Sequence, residues 1–383
     1  MTLELSQLTH QVREMGKSVA ERQRTYADLV QLAREWLVDY ADQGAAMRHP
    51  AREYQAAIPT DEPLDAVHPL PSMPALFTVV AADGSQIQPD RHGAALYTLI
   101  NIGSLVYRHG SGAVPEARSE AILGYTEDDL YEDGAPVAGN LLDVRRDLAE
   151  LRRLADVCDD ERSIPTVALV DGSIVLWVLR DRPHGARSAK VTAYLNELER
   201  IRRSGGIVGG FISRPGYSEV TRLLTLLSFD GDTKRASEQP NPLEHLPDRA
   251  VFAMLPPGAR SALFASPKEV NQEAYARQGQ EVRFLYLNVA KEEEEAVIAR
   301  VEVPAWVAGS PDKLKMIHGA IVAQARITGE YPYALARADE LAYISVRERA
   351  ALEEMLVTEL LRAGVRSAPS PKAAYKRLTR QGV

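Results

Sequence analysis

Residues 76–85 read Leu-Phe-Thr-Val-Val-Ala-Ala-Asp-Gly-Ser, and residues 166–173 read Thr-Val-Ala-Leu-Val-Asp-Gly-Ser. Each is a short apolar run rich in β-branched residues, the composition of a buried strand, closed by an acid, a glycine and a serine. Asp-Gly-Ser is common turn chemistry, so a single copy reads as the end of a strand. Two copies behind two buried-looking strands read differently. A carboxylate at the end of an apolar strand is costly unless hydrogen bonds or a cation compensate it. Glycine after each acid lets the backbone turn or approach a ligand closely. The pair Asp83 and Asp171 therefore marks a shared acidic site.

The pattern on either side of these motifs sets the fold class. Residues 94–107 and 116–123 continue as apolar or alternating strands, so three strands follow one another as an antiparallel meander. Residues 143–156 carry helical spacing, with Leu141, Leu142, Leu148, Leu151 and Leu154 on one side. After the second motif come a helix at 190–204, a strand at 206–213 and a helix at 218–227. A strand pair follows at 282–290 and 296–304, with helices at 314–328, 333–342 and 346–363. A meander followed by alternating helices and strands predicts an α/β fold, a ribonuclease H-like mixed sheet flanked by helices. Residues 1–48 form an N-terminal helical extension, with Leu8, Val12, Met15, Val19 and Tyr26 recurring at threes and fours. Residues 49–75 read as a linker, 231–260 as an irregular excursion within a 76–363 domain, and 364–383 as a basic flexible tail.

Composition narrows the chemistry. The 383 residues are 45% hydrophobic and 26% charged, ordinary for a soluble globular protein. No run approaches the length of a membrane span and no signal peptide is legible, which predicts a cytoplasmic protein. Cys158 is the only cysteine, excluding an internal disulfide and a cysteine-built zinc site. The net charge of −8 argues against coating nucleic acid non-specifically, but not against basic groups along one groove. Arg182, Arg187, Lys190 and Arg214 are candidates for holding a DNA backbone.

Oxygen-only ligands select hard ions such as Mn²⁺ or Mg²⁺. Two carboxylates side by side repel without a metal between them, and two ions need a third acid. The helix before the second motif offers Asp143, Asp147, Glu150 and Asp156. The histidines are scattered without ligand spacing. Ser85 and Ser173 lie in no nucleophile elbow, and Gly205 to Gly210 lack the lysine of a P-loop.

The two Asp-Gly-Ser motifs, Phe211-Ile212-Ser213-Arg214-Pro215, Val303-Pro304-Ala305-Trp306 and Tyr331-Pro332, in this order and spacing, resemble the NurA family of DNA-repair nucleases. By that resemblance Asp83 and Asp171 are metal-binding aspartates, Glu150 is the helix glutamate and Tyr331 is the tyrosine of the Tyr-Pro motif. Asp339 stands where the family usually has histidine. An aspartate there can bind metal but is a poor proton donor near neutral pH, so a fourth carboxylate ligand is expected. The resemblance further implies Mn²⁺ (or Mg²⁺), two ions, 5′→3′ exonuclease and single-strand endonuclease action on DNA, a homodimer, and a HerA-type hexameric ATPase as partner. An actin-like or sugar-kinase phosphotransferase shares the topology, but it needs a second three-strand meander after the second motif. A non-catalytic scaffold for an ATPase is the other alternative. The nuclease reading requires the distant acids to converge.

Overall fold

In a computed structural model, which describes residues 5–132, 134–176, 184–291 and 295–365, the first quoted run forms the strand Phe77–Ile87. It pairs antiparallel with Thr98–His109, which pairs antiparallel with Glu116–Gly124. This is the expected meander. The second quoted run is the strand Thr166–Asp171, parallel to Phe77–Ile87, and the strand Ile207–Ile212 lies beyond it. Three antiparallel strands, with a parallel strand added beside the first and Ile207–Ile212 beyond it, make the ribonuclease H-like mixed sheet predicted from the sequence.

The first motif does not end its strand. Phe77–Ile87 runs through Asp83, Gly84 and Ser85, which pair with Gly103, Ile102 and Asn101. The second motif does end its strand, at Asp171, and Gly172 follows with a φ of +92°.

Helices cover both faces of these strands. Asn140–Asp160 buries Leu141, Leu142, Leu151 and Leu154, and Tyr333–Ala342 buries Ala334, Leu335, Ala338 and Ala342. A Cβ added at Gly103 would collide with the backbone at Ala338 and Ala342, so this bare position is what lets the second helix lie directly on the strand. Helix Val346–Arg362 follows, its Leu352 and Leu356 resting on Ile87, Tyr97 and Leu99. These elements belong to one compact unit, Met73–Gly210 with Tyr331–Val383.

The other unit is Met1–Ser72 with Phe211–Glu330. Its strands lie in the order Ile58–Pro59, Phe264–Ala265, Val282–Asn288, Ile298–Pro304, all antiparallel. The long helix Thr9–Asp39 places Ala33 and Leu37 in a core with Phe252, Phe264, Phe284 and Tyr286.

Two expectations from composition are corrected here. Residues 49–75 are not a simple linker: the helix Gly44–Glu53 runs through Pro50, and Ala51, Ala56, Ala57, Ile58 and Leu64 are buried in the core. Residues 231–260 are not irregular: they contain the helices Thr233–Glu238 and Asp248–Val251 and bury Leu243, Leu246, Phe252 and Leu255. Elements this short show no periodicity, and the many polar and proline residues around them dominate the local reading. The tail from residue 366 and Arg182 lie outside the described residues. Among the described residues no helix is long and apolar enough to cross a membrane.

Candidate active site

In the parallel register Ala82 lies beside Val170, so Asp83 and Asp171, one position further, leave neighbouring strands at the same level and on the same face. The antiparallel register sets Asp83 opposite Gly103, the face covered by helix Tyr333–Ala342. That helix carries Asp339, whose carboxyl shares a hydrogen bond with Asp83. Tyr331, just before the helix, donates its hydroxyl to Asp171. Ser85 and Asn101, on the same face, bond the carbonyl of Ala342 and fix the end of the helix against the strands.

Glu150 comes from elsewhere. Alternation along the strand turns Gly84 to the opposite face, toward helix Asn140–Asp160. A Cβ there would stand 2.6 Å from Arg146 Cγ and 2.7 Å from Glu150 Oε1. The glycine is thus a gap in the sheet, and Glu150 presses into it from behind Asp83. The two Asp-Gly-Ser copies are alike in sequence only. Gly84 is needed for space, whereas nothing lies within 4 Å of a Cβ at Gly172, which is needed for its left-handed backbone.

Of the acids on that helix, Glu150 alone acts electrostatically on both sides of the gap, its charge opposed by Asp83 and Asp171. Asp143 accepts from Gln86 Nε2 at 2.6 Å, and Asp147 accepts from Arg146 at 3.0 Å. Both are tied to local partners. Asp156 pairs with Arg200 at 2.7 Å.

The cluster is electrostatically strained. Burial, then the charges of Asp171 and Asp339, raise the Asp83 carboxyl from 3.8 to about 6, against the hydrogen bond it accepts from Gly84 N–H. Burial and Asp339 also raise Asp171, and burial lifts Glu150 well above the usual carboxylate range. Glu150 Oε1 is buried without a hydrogen-bond partner. Crowded carboxylates and an orphaned acceptor, all oxygen donors, fit a hard divalent cation. Among the described residues no group of three or more acids, histidines or cysteines is already drawn into a metal-holding arrangement.

Of the basic candidates, Lys190 stands apart from this cluster. Lys190 is held by Glu132 at 2.9 Å and lines an open cleft of about 620 Å³ with Arg145 and Arg152 that contains none of the four acids. Arg214 belongs to the other unit and has a φ of +46°. Arg187 lies on helix His184–Ser204, with its side chain outside the described residues. The residue that sequence reading passed over is Arg146. Its signal was the spacing one helical turn before Glu150.

The NurA domain family matches residues 77–344, more than half of the chain. The protein belongs to the NurA family. That match contains all five residues of the cluster. The solved structures similar to it include the NurA nuclease from Sulfolobus solfataricus, at 13% identity over 92% of this chain and 98% of that one, with a TM-score of 0.49. A NurA structure with manganese is 11% identical over 90% of this chain and 98% of that one, with a TM-score of 0.41. One bound to dAMP and manganese is 13% identical over 76% and 90%, with a TM-score of 0.33. No curated protein sequence matches the chain.

One substitution tests the gap. Gly84→Ala puts a methyl group against the side chains of Glu150 and Arg146, so both must shift from their places. Mn²⁺ affinity is expected to fall at least tenfold while thermal unfolding stays cooperative, measured by calorimetric titration and melting. Unchanged affinity would mean that Glu150 does not reach the cation.

Proposed function

We propose that this NurA-family protein is a divalent-metal-dependent deoxyribonuclease, hydrolysing phosphodiester bonds at the Asp83, Glu150, Asp171 and Asp339 cluster. The observation that carries the reading is the convergence of Asp83, Asp171 and Asp339 on one sheet face, with Glu150 entering through the Gly84 gap. Bound Mn²⁺ or Mg²⁺, two ions in this reading, would supply an activated water and stabilise the leaving 3′-oxygen.

The chain's own part is to hold and orient. Asp83 and Asp171, fixed by strand register, would bind cations from adjacent positions. Asp339 offers a carboxylate where the family usually has histidine. Tyr331 keeps Asp171 oriented by donating its hydroxyl, and its pKa is raised by burial and the nearby acids, so it remains a protonated donor rather than a base. The solved relatives whose descriptions name manganese and dAMP belong to the same family. The finer expectations belong to the same proposal: 5′→3′ exonuclease and single-strand endonuclease action in end resection or repair, a homodimer, a HerA-type hexameric ATPase partner and a cytoplasmic location. Incubating labelled single-stranded DNA with the purified chain, with and without Mn²⁺, tests the core of it. Equal DNA integrity in both would end the nuclease reading.

Proton binding and metal binding compete at Asp83, and the sign follows from its raised pKa. The folded state holds the Asp83 proton more tightly than the unfolded chain, so stability contributed by this group is present below about 4 and is lost as pH rises to about 6. The metal-free chain should therefore lose melting temperature across that window relative to Asp83→Asn. The rise in melting temperature on adding Mn²⁺ should grow through the same window in the wild type, measured by scanning fluorimetry from pH 5 to 7.5. A Mn²⁺ effect independent of pH would contradict it.

A further inference from the structure

Arg146 stands behind the Gly84 gap with its Nε 3.2 Å from Glu150 Oε1. The two atoms are close enough for an ion pair, yet both are buried and neither makes a hydrogen bond. The guanidinium spends its aligned bond on Asp147, at 3.0 Å. Glu150 is 7% exposed, and among the described residues Arg146 is the cation that lowers its pKa, while Asp83, Asp147 and Asp171 all oppose its charge. The pairing of Arg146 with Glu150 is thus electrostatic and poorly directed. It balances charge without locking the carboxylate in place.

We propose that Arg146 is an exchangeable counter-ion of the active site: it holds the Glu150 charge in the metal-free chain and yields that carboxylate to an incoming divalent cation. The inference rests on the metal-dependent reading of the Asp83 cluster. Three features make exchange cheap. The Arg146–Glu150 contact forfeits no aligned hydrogen bond when it is given up. Arg146 keeps Asp147 as a partner afterwards, so its charge is not left alone. Gly84 places no side chain against Glu150, so the carboxylate has room to shift on its side of the strand. A positioning residue of this kind has an unusual signature. It stabilises the metal-free site and opposes the loaded one, since it competes with the metal for the Glu150 carboxylate.

The test is Mn²⁺ titration by calorimetry of the full chain stripped with a chelator, for wild type, Arg146→Met, Arg146→Lys, Glu150→Gln and the Arg146→Met/Glu150→Gln double variant. Arg146→Met should bind Mn²⁺ about tenfold more tightly, equivalent to about 1.4 kcal/mol, while its metal-free melting temperature falls. Arg146→Lys, which keeps the charge, should bind as the wild type does. In the Glu150→Gln background the gain from Arg146→Met should disappear. Arg146→Gln replaces Arg146→Met should the latter fail to fold. A folded, charge-free variant that binds Mn²⁺ equally or more weakly overturns the proposal, because a purely structural arginine predicts that outcome. So does a gain that persists without the Glu150 carboxylate. Absence of Mn²⁺ binding by the wild type overturns the metal-dependent reading itself, and the proposal with it.

Discussion

Asp83→Asn is expected to abolish Mn²⁺-dependent cleavage of single-stranded DNA and at the same time to raise the melting temperature of the metal-free chain. The two effects have one cause. The Asp83 carboxyl is buried between Asp171 and Asp339, and its pKa of about 6 records a charge that the empty site resists. The amide removes that charge and can still donate to Asp339, so the metal-free fold relaxes. The same change takes away a ligand whose cations are asked to supply several kcal/mol of transition-state stabilisation, which at about 1.4 kcal/mol per decade implies a loss of about 10³-fold or more. Asp171→Asn should lose cleavage to the same degree. Its stability gain should be smaller, because the hydrogen bond from the Tyr331 hydroxyl already offsets part of the cost of the Asp171 charge. Full Mn²⁺-dependent activity in both variants would remove the carboxylates from the chemistry.

The largest stability effect lies in the other unit. Arg300 is wholly buried, donates to Glu219 at 2.8 Å and Glu302 at 3.0 Å, and lies over the Phe284 ring with 3.6 Å to its centroid. Both acids are also buried, and Lys268 stands 3.5 Å from Glu219. Arg300→Met removes the cation that Glu219 and Glu302 share, and removing one partner of such a buried network costs about 3–5 kcal/mol. Denaturant unfolding should show this loss. Replacing all three by Arg300→Met, Glu219→Leu and Glu302→Leu should recover most of it, since apolar groups of similar size need no compensation. A single variant no less stable than the wild type would contradict this.

How far the site could be read in advance differs residue by residue. Asp83 and Asp171 were legible because each follows a run of buried strand residues, and an acid in that place is conspicuous. Asp339 and Tyr331 were reached only through the resemblance, since a helix acid or a tyrosine beside proline has no local oddity. Glu150 was one of several acids on its helix. Its place at the gap depends on the rotation of that helix over the strand. Arg146 looked like part of a solvated basic face until the bare Gly84 beneath it was located.

Local pattern alone determined the three-strand meander and the strand that carries the second motif, and it singled out Asp83 and Asp171 as a shared acidic site. These follow from periodicity and composition within a few residues, which the chain carries wherever it folds. Only the tertiary structure decided that Asp83 sits inside its strand, that Gly84 is a passage while Gly172 is a turn, and that Glu150 enters from the opposite face in the company of Arg146. Each of those depends on which distant segment packs against a backbone lacking a side chain. That contact is a property of strand register and helix placement, not of the motif itself.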